Sequence, residues 1–540
     1  MEIESNTKYC RVEGAASEED RLSGLPDDVL HSIVGRVPLK QAVRTSALST
    51  RWACLWLHAL AASAVLDFTD SEFVRGQSLG RIVATVNRCL EVHGAAPIDV
   101  FRVALSPFDA YGRDVVRWAA TALVRGAREV GVDLTQHADG RGALELPVDL
   151  FQAESSLAVL SLGRCSLRDV PPGTPGLAGL TSLSLNQVDV TDDAVRDVVS
   201  RCRLLEFLSL ESCHLLVSVR VAGERLRGLE IVRCLAMRHL QVAAPVLESV
   251  AYHGDVLLIW REDEPSGVEF VGPGGRTDAR PELKDAYLTH IGYGEYDEVI
   301  HEFAYSGFLD QVAHAKILTL CSVGMRHLEE ERLFAEGDVD APNLEELQLL
   351  MDSISMGDDD VTRFSGFLEL VVAPLLERLF IRVSILIHDP FEPDLPRRAI
   401  LTSYRLRGSN LQLPDACGGT AVTGEGADIV LECEIALDHL TFLKVVNFRG
   451  TRRELRLLRF VLRRAPVLEQ LVLVTLEDVG TPGDHDQQES VRLLLKVVQE
   501  HVSEISKAWL WQEPRVTLCR PREDDSRSPA HTKYYHHDQA

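Results

Sequence analysis

Leu157-Ala158-Val159-Leu160-Ser161-Leu162-Gly163-Arg164-Cys165-Ser166-Leu167 is the stretch that decides how this chain folds. The alternation Leu160-x-Leu162 is the period-two signature of a half-buried strand. The pattern returns at Leu180, Leu183 and Leu185 with Val188 and Val190. It returns again at Leu205, Leu208, Leu210, Cys213 and Leu215, then at Leu226, Leu229, Ile231 and Cys234. A looser copy uses Leu247, Val250 and Tyr252. The central anchors 160, 183, 208, 229 and 250 are 23, 25, 21 and 21 residues apart, a spacing filled by one strand and one return segment. One such unit cannot bury its own apolar face, so the units stack as a parallel sheet with a continuous apolar ladder.

This is the leucine-rich-repeat template, and the fold class it implies is α/β, an irregular solenoid with its parallel strands on the concave side. Weaker copies at Leu318 and Leu320, at Leu344, Leu347 and Leu349, and at Leu376, Leu379 and Ile381 carry the array to about residue 385. Stretches 254–286 (with Gly272-Pro273-Gly274-Gly275), 352–362 (with Asp358-Asp359-Asp360) and 385–430 interrupt it and read as loops or insertions. Cys165, Cys213 and Cys234 share one slot of the repeat. That makes them ladder residues, because a zinc site or a nucleophilic centre needs convergence and these lie whole repeats apart. The side chains between the leucines point to the concave side. There Phe207, Ser209, Glu211, Glu230 and His253 are the candidate target-binding residues, with Phe207 the aromatic anchor. Only Arg164, Arg227 and Arg233 are basic nearby, which disfavours an anionic small ligand.

Working outward toward the N-terminus, Leu25-Pro26-Asp27-Asp28-Val29-Leu30-His31-Ser32-Ile33-Val34 places Val29, Ile33 and Val37 four apart, with Leu30 and Val34 completing an apolar stripe. Pro26 and two aspartates stand at its start, where the helix dipole favours them. Pro38 breaks the pattern. A second segment turns Ala42, Val43, Ala47 and Leu48 one way, and Ser49 is placed to cap a third helix carrying Trp52, Leu55 and Trp56. Three short helices cannot bury this much apolar surface internally, so the module needs a partner.

The run Leu25-Pro26-Asp27-Asp28-Val29-Leu30, then Val37-Pro38, then Leu48-Ser49-Thr50-Arg51-Trp52, with Val65-Leu66-Asp67-Phe68 after it, resembles the F-box of plant F-box proteins. Ala53 departs from the pattern, since a basic or large residue commonly follows the tryptophan. The resemblance implies that the module binds a Skp-type adaptor, and through it cullin and RING subunits, with Leu25, Pro26, Leu30, Ile33 and Trp52 facing the adaptor or shaping that interface. It implies a substrate-recognition subunit of an SCF-type ubiquitin ligase whose repeats hold an unknown protein target. A Skp-binding scaffold or receptor that does not promote degradation is the alternative.

Toward the C-terminus, the strand-like Leu440–Gly450 leads into Thr451-x-x-Glu454, a capping-box pattern, and a helix with Leu455, Leu458 and Val461. Ala465–Leu473 supplies a further strand, and the whole resembles the FBD segment of plant F-box and leucine-rich-repeat proteins. The expected division is a disordered arm 1–21, F-box 22–67, a connecting region and start of solenoid 68–156, and repeats with insertions 157–385. An irregular insertion 386–430, an FBD-like repeat or cap 431–476, a C-terminal cap 477–518 and a disordered tail 519–540 follow.

Net charge is −25 over 540 residues, which argues against nucleic acid or an anionic membrane surface as partner. No apolar run reaches the roughly 20 residues that a membrane span needs, and Met1-Glu2-Ile3-Glu4 lacks the start of a signal peptide. The 11 cysteines, without CxxC pairs, fit reduced thiols and a cytoplasmic or nuclear location. Catalytic patterns fail on residue count. Gly424-x-Gly426 is followed by Ile429, and His301-Glu302 meets Tyr305 where a zinc site needs histidine. No enzyme activity, cofactor or metal is expected.

Overall fold

The computed structural model describes residues 24–37, 39–52, 55–70, 77–105, 110–135, 142–168, 174–255, 267–272, 281–290, 304–322, 324–325, 339–351, 364, 366–368, 371–383, 436–476, 485–509 and 511–534. The readings made at the 1–21 arm, Pro38, Ala53, Pro273–Gly275, His301-Glu302, Asp358–Asp360, 386–430 and the part of the tail beyond 534 lie outside the described residues. The chain divides into two compact units, Met1–Arg164 and Cys165–Ala540.

The first unit opens with α1 (Asp27–Val34), α2 (Leu39–Arg44) and α3 (Leu55–Ala61). Leu30, Val34, Ala42, Trp52 and Leu55 form its small core, with Leu25, Val37, Trp56 and Ala59 packed against them. Four parallel strands follow, β1 (Val65–Phe68), β2 (Val100–Ala104), β3 (Glu129–Asp133) and β4 (Val159–Gly163). Val65-Leu66-Asp67-Phe68 therefore begins the sheet instead of ending the helical module. Leu66, Phe101, Val130 and Leu160 stand in register, as do Phe68, Val103, Val132 and Leu162. The region 68–156, expected as a connecting region and start of solenoid, contains two full ladder strands, in which Val and Phe do the work that leucine does later. Helices α4 (Leu79–His93) and α5 (Gly112–Val124) bridge the strands. They bury Ile82, Val86 and Leu90, and Val115 and Trp118, and the Trp118 indole N–H donates to Asn87 Oδ1 at 2.7 Å.

In the second unit the ladder is carried by β5 (Ser182–Asn186), β6 (Phe207–Glu211), β8 (Gly228–Val232), β10 (Ser249–Gly254), β12 (Asp285–His290), β13 (Ile317–Cys321), β14 (Glu346–Met351), β15 (Arg378–Val383), β16 (Phe442–Phe448), β17 (Gln470–Thr475) and β18 (Arg515–Cys519), all parallel. Leu183, Leu208, Leu229 and Val250 align across four neighbours, and each is nearly or wholly buried. A buried leucine of this kind contributes roughly 1.5 to 3 kcal/mol.

The return path depends on repeat length. The 25-residue step from Leu183 to Leu208 accommodates α6 (Asp192–Arg201), capped by the Thr191 hydroxyl accepting from Ala194 N. The 21-residue steps that follow use extended segments, β7 (Ser218–Ala222) and β9 (His239–Ala243), which pair with β11 (Gly267–Phe270) as a second small sheet. An extended residue covers about 3.3 Å and a helical one about 1.5 Å, so fewer residues span the same return.

Residues leaving the ladder strands share an unusual backbone. Gln187 (φ 53°), Ser212 (φ 52°) and Arg233 (φ 54°) are left-handed, and the amides of Gln187 and Ser212 donate to Glu211 O and Val232 O on the next strand. The cysteine slot comes next. Cys213 Sγ contacts Leu185 O and Glu211 O, and Cys234 Sγ contacts Leu210 O and Val232 O, at 3.5 to 3.7 Å. These thiols contact carbonyls at the ends of the ladder strands in the interior, as ladder residues do.

Late in the unit lie α7 (Ala304–Val312), α8 (Arg452–Leu462) and α9 (His485–Trp509). The capping box closes as its sequence requires: Thr451 Oγ1 accepts from Glu454 N, and Glu454 Oε2 accepts from Thr451 N at 2.8 Å. The expectation of a disordered tail from 519 is corrected for residues 520–534. Two short 3-10 turns, Pro521–Glu523 and Thr532–Tyr534, frame a segment tied to the sheet by side chains, with His531 buried.

Candidate docking and recognition faces

In the helical module the five residues singled out from sequence divide between interior and surface. Leu30 and Trp52 are buried in the core and shape the module from within. Leu25 is half-buried, Pro26 is exposed, and Ile33 is 39% exposed. Val29, four residues before Ile33 on α1, is 42% exposed; Val43 and Leu48 are 38% and 64% exposed. Ala42 is buried, so the second segment does not turn its apolar residues one way as expected. Val29 was readable as part of the α1 stripe. Val43 and Leu48 were missed as surface residues because a six-residue helix gives too little periodicity to assign a face.

The Leu25-Pro26 turn is pinned. Arg51 donates to Leu25 O at 2.7 Å and lies 2.6 Å from Asp27 Oδ1. The Arg51 guanidinium holds the Asp27 carboxyl below its ordinary range. This joins the start of α1 to the Ser-x-Arg-Trp segment and fixes how the exposed α1 residues are presented.

On the concave face of the second unit, Phe207, Ser209 and Glu211 lie on β6 and Glu230 on the adjacent β8, all half-buried. Phe207 lies against Gly228, its register partner; a Cβ at 228 would sit 2.8 Å from the ring. Glu211 accepts from Asn186 Nδ2 at 3.0 Å. His253 departs from the expectation of an open position. It is 3% exposed, and its Nδ1 is 2.7 Å from Thr289 Oγ1.

Further along, the same face carries Asp285, Thr319, Glu346 and Lys444, which sequence reading missed. Asp285 falls at the end of the stretch 254–286 that read as a loop or insertion, and Thr319 in a repeat after it, where the leucine spacing had lost phase. Lys444 gave the clearest signal, a lone cation inside the apolar run Phe442-Leu443-Lys444-Val445-Val446. It is buried and contacts Asp524. Among the described residues no group of three or more His, Cys, Asp or Glu is placed to hold a metal ion, and no helix is long and apolar enough to cross a membrane.

Comparison with known proteins places three family models along the chain. The F-box domain matches residues 22–59, the At1g61320/AtMIF1 LRR domain matches 90–267, and FBD matches 432–473. The repeat match begins well before Leu157, in agreement with the early strands. Among similar proteins of Arabidopsis thaliana, F-box protein At5g03100 is 30% identical over 223 residues, 41% of this chain and 63% of that protein. FBD-associated F-box protein At1g61320 is 23% identical over 478 residues, 86% of this chain and 92% of that protein. F-box/FBD/LRR-repeat protein At1g13570 is 30% identical over 196 residues, 35% of this chain and 44% of that protein. The chain thus spans less than two thirds of the first and third of these relatives.

Proposed function

We propose that this chain, with its F-box, leucine-rich-repeat and FBD matches, is a substrate-recognition adaptor of an SCF-type ubiquitin ligase. The helical module docks on a Skp-type adaptor, which brings cullin and RING subunits, and the concave face of the repeats holds the protein to be ubiquitinated. The observation that carries this reading is the exposure of Val29 and Ile33 on α1, Val43 on α2 and Leu48 just after the turn that follows α2. Apolar side chains left in water by a module with its own core are what an obligatory partner removes from solvent. Each one fully covered contributes roughly 1.5 to 3 kcal/mol before association costs.

Leu30 and Trp52 act from inside, by holding α1 and the Trp52 segment in the presenting geometry; Leu25, Pro26 and Ile33 are placed to touch the adaptor. On the target side Phe207, Ser209, Glu211 and Glu230 supply one aromatic surface and two carboxylates, with His253 as support beneath. No covalent step falls to this chain, since the transfer chemistry belongs to the other subunits.

Co-purification with a Skp-type adaptor tests the docking half. The variant Leu25→Ala with Pro26→Ala should lose the adaptor while its circular dichroism is unchanged, and retained binding would count against the assignment. Assembly with cullin and RING subunits, followed by ubiquitin transfer to a captured target, separates a ligase subunit from a non-degradative scaffold. A stable adaptor pair that never recruits cullin would favour the scaffold.

A further inference from the structure

The concave face of the Cys165–Ala540 unit is already occupied. Lys533 Nζ donates to Glu230 Oε1 at 2.6 Å, His531 Nε2 is 3.0 Å from Asp285 Oδ1, and Arg527 Nη2 is 3.9 Å from Glu346 Oε2. Three carboxylates on three different strands thus meet three basic side chains of one segment, in reverse strand order. The segment is anchored at its other end by Lys444, whose ammonium meets Asp524 at 2.6 Å and donates to Ser526 Oγ and Arg527 O.

Hydrogen-bond directions define what His531 contributes. Gln348 Nε2 donates to Glu346, which turns Gln348 Oε1 toward the Thr319 hydroxyl as its acceptor at 3.0 Å. Thr319 Oγ1 then faces His531 Nδ1 at 2.7 Å as an acceptor, while Asp285 accepts at Nε2. Both ring nitrogens therefore meet oxygen atoms carried by the ladder strands. Tyr287 packs edge-on against the same ring, 5.7 Å between centroids.

The segment crosses the sheet from the strand of Lys444 to the strand of Glu230. From the strand of Glu230 to the strand of Lys444 there are six inter-strand intervals, about 29 Å at roughly 4.8 Å each. The contacts at the far end are solvent-accessible: the side chains of Lys533 and Arg527 are 63% and 57% exposed. Exposed pairs of this kind contribute little each, so Lys533 and Arg527 hold weakly, whereas the buried Lys444–Asp524 pair keeps the other end in place as a tether.

We propose that this face is a recognition groove for an extended, basic polypeptide segment, and that residues 524–533 are an intramolecular stand-in which the target must displace. The proposal rests on the adaptor reading insofar as the displacing segment belongs to the target. A tethered occupant competes at the effective concentration that its tether sets, commonly millimolar for short flexible links. The latch therefore excludes weak basic sequences and admits those that match the carboxylate spacing.

The test uses the full chain and a fluorescein-labelled synthetic peptide with the sequence of residues 520–534, followed by anisotropy. Lys533→Glu with His531→Ala in the chain should weaken the latch and tighten peptide binding about tenfold or more relative to the unsubstituted protein. Adding Glu230→Lys to that variant should abolish the gain. In the chain carrying only Glu230→Lys and Lys533→Glu, the reversed pair should restore exclusion of the peptide. Equal peptide affinity for the unsubstituted and latch-weakened chains, or indifference to Glu230→Lys, overturns the proposal. Adaptor co-purification, scored on the same variants, keeps the two readings apart. Retained adaptor binding without competition sinks the latch alone, and competition without adaptor binding sinks the adaptor reading alone.

Discussion

Lys444 Nζ lies 2.6 Å from Asp524 Oδ2, with the lysine side chain 2% exposed and the aspartate 15% exposed. The pair joins a ladder strand to a segment eighty residues later in the chain (524 − 444 = 80), in a place where neither charge is well solvated. Removing one partner of a buried pair leaves the other uncompensated, which typically costs about 3 to 5 kcal/mol, whereas replacing both by apolar groups is often neutral. Asp524→Ala should therefore lower the unfolding free energy by about 3 kcal/mol, and Lys444→Met in the same chain should recover most of it. Urea denaturation of the single and double variants checks this, and equal loss in both would show that the pair is not coupled.

Acid should release the same segment. Burial works to raise the Asp524 carboxyl, but hydrogen bonds from Lys444 and Ser526 outweigh it and hold the group below its ordinary 3.8. Asp285 behaves alike, burial being outweighed by the bonds from His531 and Ser249. A carboxyl lowered on folding contributes its full stability above the unfolded value and loses it as pH falls through the folded one. Amide hydrogen exchange of residues 520–534 should thus be flat from pH 7 to about 5, after correction for intrinsic rates, and should rise below about pH 4. A rise centred near pH 6 would assign the latch to a different group.

Two neighbours on α1 separate docking from folding. Leu30 is wholly buried and Ile33 is 39% exposed. Leu30→Ala should destabilise the first unit by about 2 to 5 kcal/mol, as removal of a buried leucine does. Ile33→Asp should leave thermal unfolding within about 0.5 kcal/mol of the unsubstituted protein, as surface changes do, and yet abolish adaptor binding. Thermal melts beside adaptor pull-down read the two effects independently, and an Ile33→Asp variant that still binds would remove this residue from the interface.

How far the sequence could be read depended on which residue type carried each signal. Leu160, Leu183, Leu208 and Leu229 announced their strands because leucine at fixed phase is hard to produce otherwise. Phe101, Val103, Val130 and Val132 perform the same burial, but short Val and Phe alternations do not distinguish a ladder from any other strand. The extended returns Ser218–Ala222 and His239–Ala243 were hidden because they follow from lack of room in a 21-residue repeat, not from a motif. At the candidate sites, Ile33 and Pro26 were legible as surface and Leu30 as stripe. The partners of Glu230 and Asp285 were not, because they belong to a segment some 240 to 300 residues away in sequence (531 − 285 = 246; 533 − 230 = 303), and no local pattern encodes that approach.

The capping box of the FBD segment carries a charge it does not need. Burial pushes the Glu454 carboxyl up, although the amides of Thr451 and Arg449 donate to it. A glutamine at 454 keeps an acceptor for those amides and removes the cost of burying a carboxylate, so Glu454→Gln should be neutral or stabilising near pH 7. Glu454→Ala leaves the amides unsatisfied and should cost about 1 to 2 kcal/mol. Because the folded value is raised, the glutamine's advantage over glutamate should shrink as pH falls through it. Thermal melts at pH 7 and pH 5 check both signs.

The left-handed residues that end the ladder strands give the last prediction. At Ser212 the backbone must turn out of the strand while its amide still donates to Val232 O at 2.7 Å, and φ 52° is the conformation that achieves both. A side chain there costs about 1 to 2 kcal/mol of steric strain, and glycine removes that strain at the expense of greater freedom in the unfolded chain. Ser212→Gly should therefore stabilise the second unit by about 0.5 to 1 kcal/mol, and Ser212→Val, branched at Cβ, should destabilise it by more than about 1 kcal/mol. Gln187→Gly at the equivalent place one repeat earlier should repeat the gain. Urea midpoints that move the same way for glycine and valine would mean that the slot is governed by side-chain contacts and not by the backbone.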